Sequence, residues 1–153
     1  MDFEFKSPVP ATPEVVWSHV SDIVAVAGCV PGVTEVNQES DSHYAGTLKV
    51  RVGPVALQLN GEIEIEHLDH TERTFLMTAR AKDRKIPGEI KTRTELAVLP
   101  GENGNAELLV NTNANILGKL GEFGQPVIRK KTQKVMEEFV ENLVKQIEEA
   151  QAA

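Results

Sequence analysis

The sequence predicts an α+β fold, a curved seven-stranded antiparallel sheet wrapped around a long C-terminal helix. Two observations carry that prediction. The first is strict alternation of apolar and polar residues. It is clearest where Leu57, Leu59, Gly61, Ile63 and Ile65 share one face and Gln58, Asn60, Glu62, Glu64 and Glu66 the other. A period of two over that length marks an antiparallel strand with one buried and one wet face. The second is the stretch from Gly118 to Glu149, where Leu120, Phe123, Val127, Ile128, Val135, Met136, Phe139, Val140, Leu143 and Ile147 recur at helical spacing. A one-sided sheet followed by an apolar-striped helix closes around that helix. The grip either packs solid or leaves a cavity.

The elements follow in order. Phe3 and Phe5 alternate with Asp2, Glu4 and Lys6 in a short first strand ending near Pro8. Thr12 then reads as an N-cap with Pro13 at the first helical position, and Val15, Val16, His19 and Val20 continue the helix. Ser21-Asp22 starts a second short helix through Ala27, and Gly28-Cys29-Val30-Pro31-Gly32 breaks it. Six strands follow at about 33–40, 43–53, 55–67, 73–82, 89–99 and 106–115. Between them stand Asp41-Ser42, Gly53-Pro54, Asp69-His70-Thr71-Glu72, Pro87-Gly88 and Pro100-Gly101-Glu102-Asn103-Gly104. The long helix closes the chain.

Composition narrows the function. At 153 residues the chain fits one domain spanning 1–153, large enough to bury roughly two thirds of its unfolded surface. A net charge of −7 argues against general nucleic-acid binding, which needs a basic footprint. No apolar run approaches the ~20 residues of a membrane span. The start Met1-Asp2-Phe3-Glu4 lacks a basic and apolar signal region, and the single cysteine, Cys29, fits a reducing compartment. These features lead us to expect a soluble cytoplasmic protein.

Several segments resemble a known family. They are the lead into the first helix, with Pro8, Pro13 and Trp17 in a Pro-x-x-x-x-Pro-x-x-x-Trp pattern, and Ala27-Gly28-Cys29-Val30-Pro31-Gly32. Further along come Lys49-Val50-Arg51-Val52-Gly53-Pro54-Val55 with Gly61 after it, and Gly118-Lys119-Leu120-Gly121. With the element order, these resemble the START-like (SRPBCC) helix-grip superfamily and, within it, the CoxG family of carbon monoxide dehydrogenase. The similarity covers essentially the whole chain. It implies a helix-grip fold with an apolar cavity. It also implies an accessory role beside a molybdenum-hydroxylase type carbon monoxide dehydrogenase, linking that enzyme to the membrane or its quinone pool. Many family members continue past the long helix into an apolar anchoring tail, whereas this chain stops at Gln151-Ala152-Ala153. Contact with the inner face of the membrane is therefore expected to be transient and peripheral.

Small inward residues, Ala79, Ala81, Thr92, Thr94, Thr112 and Ala114, face a long helix in a chain with only five Phe, one Tyr and one Trp. Native cores fill such space to high density, so small residues there leave room either for close helix approach or for a cavity. The cavity expected here is lined by Leu59, Ile63, Phe75, Met77, Thr92, Thr94, Leu96, Val110, Thr112, Leu120, Phe123, Val127, Ile128 and Met136. Gly118, Gly121 and Gly124 recur every three residues where the helix begins, and mark either a flexible gate or a loop ahead of a firm helix near Pro126. Arg129, Lys130, Lys131 and Lys134 form a basic cluster, either a solvated face paired with acidic neighbours or a weak attractor of anionic headgroups.

Catalytic and metal signals are weak. His67 and His70 flank a turn without a third ligand nearby, and His19 and His43 stand apart. Cys29 has no local histidine to activate it and reads as a small buried residue. No cofactor or metal is expected. The leading expectation is a non-catalytic carrier of an apolar molecule, a quinone or a lipid. The alternatives are a START-like enzyme, a cyclase or small-molecule hydrolase, and a docking subunit with a filled core.

Overall fold

The computed structural model describes residues 1–153. Strand β1 (Asp2–Val9) leads into helices α1 (Pro13–Val20) and α2 (Ile23–Ala27). Strands β2 (Val33–Gln38), β3 (His43–Val52), β4 (Val55–Asp69), β5 (Thr74–Asp83), β6 (Gly88–Pro100) and β7 (Ala106–Gly118) follow, and helix α3 (Gln125–Ala152) ends the chain. All pairings are antiparallel, in the order β1-β7-β6-β5-β4-β3-β2, so the sheet has seven strands with β1 and β2 at its edges. Helix α3 touches both β1 and β3, which lie toward opposite edges. Only a strongly curved sheet brings both against one helix. Breaks in register at Val33/Glu35 and Ile65/His67 add local bend, as bulges do.

The two short helices start as their sequence dictates. Thr12 accepts a hydrogen bond from the Val15 amide, and Asp22 accepts one from the Ala25 amide. Each side chain satisfies a helix N–H that has no partner within the helix. The expected α3 start does not hold. Residues 116–118 extend β7, because Ile116, Leu117 and Gly118 pair with Ile90, Glu89 and Gly88. A 3₁₀ turn at Lys119–Phe123 follows, and the α-helix begins only at Gln125.

Gly118 shows why this segment cannot be helical. Its φ is +71°, and a Cβ there would stand 2.8 Å from the Gly88 Cα. Two strand ends cross there with backbone against backbone, which only glycine permits. The Lys119 amide donates to the Pro87 carbonyl at 3.0 Å, which ties the turn to the start of β6.

The core divides into two clusters. The larger gathers Val9, Val16, Trp17, Val20, Ile23, Phe75, Leu96, Val98, Leu108, Phe139, Leu143 and Ile147, among others. It fills the end of the grip that α1 and α2 cover. The smaller consists of Val52, Leu57, Leu59 and Leu120 at the other end, with Val50, Ile90, Ile116 and Phe123 partly buried around it.

Candidate ligand cavity

A cavity of about 240 Å³ lies between the first half of α3 and the inner face of the sheet. Its floor takes Phe3 and Phe5 from β1, Val50 and Val52 from β3, and Leu57 and Leu59 from β4. Strand β6 adds Ile90 and Thr92, and β7 adds Val110, Thr112, Ala114 and Ile116. Leu120 and Phe123 close one side. The roof is Ile128, Lys131, Thr132, Val135 and Met136, spaced three and four apart so that they share one face of α3. Fifteen of the nineteen wall residues are hydrophobic. The polar ones are three threonines and one lysine.

Eight of the residues expected at the cavity stand on its wall: Leu59, Thr92, Val110, Thr112, Leu120, Phe123, Ile128 and Met136. The other six stand elsewhere, for separable reasons. Phe75 and Leu96 belong to the large core cluster, and Ile63 and Met77 pack against it, since their rows of the sheet lie under the covered end. Thr94 sits behind the wall, 7% exposed, with its Oγ1 3.0 Å from that of Thr112. Val127 is 44% exposed, because the helix starts later and turns that position outward. Phe3 and Phe5 were missing from the expected wall. Only the pairing of β1 with β7, across more than a hundred residues, carries them there.

The glycines behave unequally. Gly118 is locked against Gly88, and a Cβ on Gly121 would stand 2.8 Å from the Ile116 carbonyl oxygen. Between them Leu120 is fully buried. Gly124 differs: its φ is +84°, the nearest atom to an added Cβ is 4.0 Å away, and no side chain caps the helix that starts after it. The basic cluster is also not as expected, since Arg129, Lys130, Lys131 and Lys134 take no part in any ion pair. Arg129 instead lies 5.1 Å over the Phe3 ring and donates to the Asp2 carbonyl at 3.0 Å. It clamps the first strand under the helix.

The remaining reactive groups lie away from the cavity. Cys29 is 2% exposed, and burial pushes its thiol pKa up, which disfavours the nucleophilic thiolate. His70 Nδ1 accepts from the Trp17 indole at 3.0 Å and pins the β4–β5 turn to α1. His19 meets Gln146, and His43 meets Ser40, Ser42 and Glu64 on the surface. Three or more His, Cys, Asp or Glu side chains do not converge anywhere as a metal site. No helix is long and apolar enough to cross a membrane.

Solved structures share this architecture. A conserved protein from Geobacillus kaustophilus superposes with a TM-score of 0.88 at 17% identity, over 98% of this chain and 97% of that one. A START superfamily protein from Mycobacterium smegmatis gives 0.74 at 13% identity, over 97% and 98%. The Zhui aromatase/cyclase from Streptomyces sp. R1128 gives 0.69 at 12% identity, over 97% and 93%. At such identities the likeness establishes the fold alone, which is the START-like helix grip. No curated protein matches the sequence. A family model does, over residues 6–148, nearly the full length of sheet and gripped helix: the chain belongs to the CoxG family of carbon monoxide dehydrogenase.

Proposed function

We propose that this chain is a non-catalytic accessory protein that holds an apolar small molecule, a quinone or a lipid, between sheet and helix. The family adds its context, a molybdenum-hydroxylase type carbon monoxide dehydrogenase as the partner served. The observation that carries the reading is the hydrocarbon wall of the cavity. Its one ionisable residue, Lys131, stands on the roof at the half-exposed side of α3. Apolar surface buried in such a site contributes about 25 cal/mol per Å², the main driving force open to a ligand there.

Exchange of the ligand proceeds by movement of the first half of α3. That half holds no fully buried residue, lacks a side-chain cap and begins at the unconstrained Gly124. Segments that open around cavities are drawn from the least stable parts of a fold. Gly118 and Gly121 serve as the fixed side of this gate. Lys130 and Lys134 are exposed on the same half, beside exposed Val127, and give at most a transient, salt-sensitive contact with an anionic membrane surface. The protein works in the cytoplasm, coming to the inner face of the membrane only in that way.

A second reading has one observation in its favour, the likeness to an aromatase/cyclase. On that reading the wall threonines and Lys131 would act on a bound apolar substrate. Purification from the native host, with native mass spectrometry and extraction of the bound molecule, tests both. A stoichiometric quinone or lipid recovered unchanged supports the carrier. Conversion of an added polyketide-like substrate, lost in Lys131→Met, would overturn it.

A further inference from the structure

Inside the otherwise hydrocarbon wall, two hydroxyls meet: Thr94 Oγ1 and Thr112 Oγ1 stand 3.0 Å apart on paired positions of β6 and β7. Two hydroxyls carry two protons, and their mutual hydrogen bond uses only one. Which proton remains free follows from burial. Thr94 lies behind the wall, nine-tenths buried, with Thr112 as its hydrogen-bond partner, whereas Thr112 is part of the wall. If Thr112 donated to Thr94, the Thr94 proton would be left buried and unmet, at a desolvation cost. If Thr94 donates to Thr112, every buried group is satisfied and the Thr112 O–H is the free donor, on the cavity side. That arrangement also strengthens it, because a hydroxyl that accepts a hydrogen bond becomes a better donor.

We infer that the Thr94–Thr112 pair is a polar reading point, and that the cavity selects apolar molecules carrying a carbonyl-type acceptor over plain hydrocarbons. This rests on the apolar-ligand reading above and narrows its ligand class. A ring ketone or quinone oxygen and an acyl ester oxygen present the same acceptor to Thr112. Neighbouring wall residues Phe3, Val110 and Ala114 surround that point with hydrocarbon, where a single hydrogen bond discriminates more than it would in water. Thr94 acts through Thr112 and is a positioning residue.

The test measures affinities of matched probe pairs for the full chain: menadione against methylnaphthalene, and methyl decanoate against undecane. The wild type is compared with Thr94→Val/Thr112→Val and with Thr112→Ser. The double variant removes both partners at nearly constant shape, so it orphans no buried hydroxyl and keeps the fold. The expected result is that the double variant loses roughly three- to tenfold in affinity for each carbonyl probe, the scale of one neutral hydrogen bond. Methylnaphthalene and undecane should bind both proteins alike, and Thr112→Ser should retain the carbonyl preference. A larger loss for menadione identifies a ring carbonyl as the natural acceptor, and a larger loss for the ester identifies an acyl one. Hydrocarbon binding with an undiminished carbonyl preference in the double variant would overturn the inference and leave the carrier reading intact. Failure of every probe to bind the wild type would overturn both.

Discussion

The two halves of α3 carry the same apolar stripe and meet opposite fates. From Phe139 to Ile147 the helix is sunk in the large core, with Phe139, Val140, Leu143 and Ile147 buried against Trp17, Val16 and Val20 of α1. Two side chains also fasten this half to α2 and the turn after it. Asn142 donates to the Cys29 carbonyl at 2.9 Å, and Gln146 donates to the Ala25 carbonyl at 3.1 Å. From Gln125 to Met136 nothing comparable happens. Ile128, Thr132, Val135 and Met136 face open space, and the fastening is Arg129 to the first strand. The two halves differ in what faces the stripe. Helices α1 and α2 plug one end of the grip, while a 3₁₀ turn and the ends of β6 and β7 frame the other. Stability is concentrated in the plugged end and ligand capacity in the open one.

The contrast is open to attack by mutation, beginning with the largest effect. Leu143→Ala, at a fully buried position, should lower unfolding free energy by about 2–5 kcal/mol, a drop in Tm of roughly 5–15 °C. The same truncation at half-exposed Ile128 should cost about 1 kcal/mol or less. Equal losses at the two sites, read by thermal or urea unfolding, would erase the distinction. Ala114→Phe should fill the floor of the cavity and abolish binding of an apolar fluorophore, while changing stability by less than about 1 kcal/mol. Overpacking a solid core typically costs 1–3 kcal/mol, so a large stability loss would mean that the space is not usable. A smaller effect is expected at the hinge. Gly124→Ala meets no clash but holds alanine at positive φ, costing about 1–2 kcal/mol and altering ligand exchange more than affinity. Stopped-flow displacement of the fluorophore reads that difference.

The smallest expected effect is electrostatic. Asp83 accepts from the backbone amides of Ile86, Lys85 and Gln58, which hold its carboxyl below the usual carboxylate pKa. The Glu72 and Thr71 amides do the same for Asp69 at the β4–β5 turn. A carboxyl whose folded pKa is depressed stabilises the fold above its unfolded value, near 3.9. That contribution is lost as pH falls below about 4 toward the folded pKa. Both groups are solvent-facing, so the loss should be slight. Unfolding curves between pH 5 and 2.5 should steepen less in Asp83→Asn than in wild type.

Most of the fold was legible because its signals are local and periodic. Alternation from Leu57 to Ile65 revealed a half-buried strand, and Thr12-Pro13 revealed a helix start, both without any tertiary knowledge. The helix start at Gly118 was misread because Leu120 and Phe123 continue the apolar stripe. What excludes a helix there is a crossing with Gly88, thirty positions earlier in the chain. The cavity wall was legible only in part, for a related reason. Alternation says which residues point inward but not which end of the sheet lies under α1 and α2. Phe75, Met77 and Leu96 point inward as expected yet lie beneath the plug, while Phe3 and Phe5 reach the cavity through a pairing that no local pattern encodes.

Amide hydrogen exchange along α3, with and without menadione, tests the central claim most directly. The account predicts fast exchange over Gln125–Met136 in the free protein and slow exchange over Phe139–Ile147. Added ligand should slow the first segment and leave the second unchanged. Uniform protection along the whole helix, unaltered by the ligand, would contradict it.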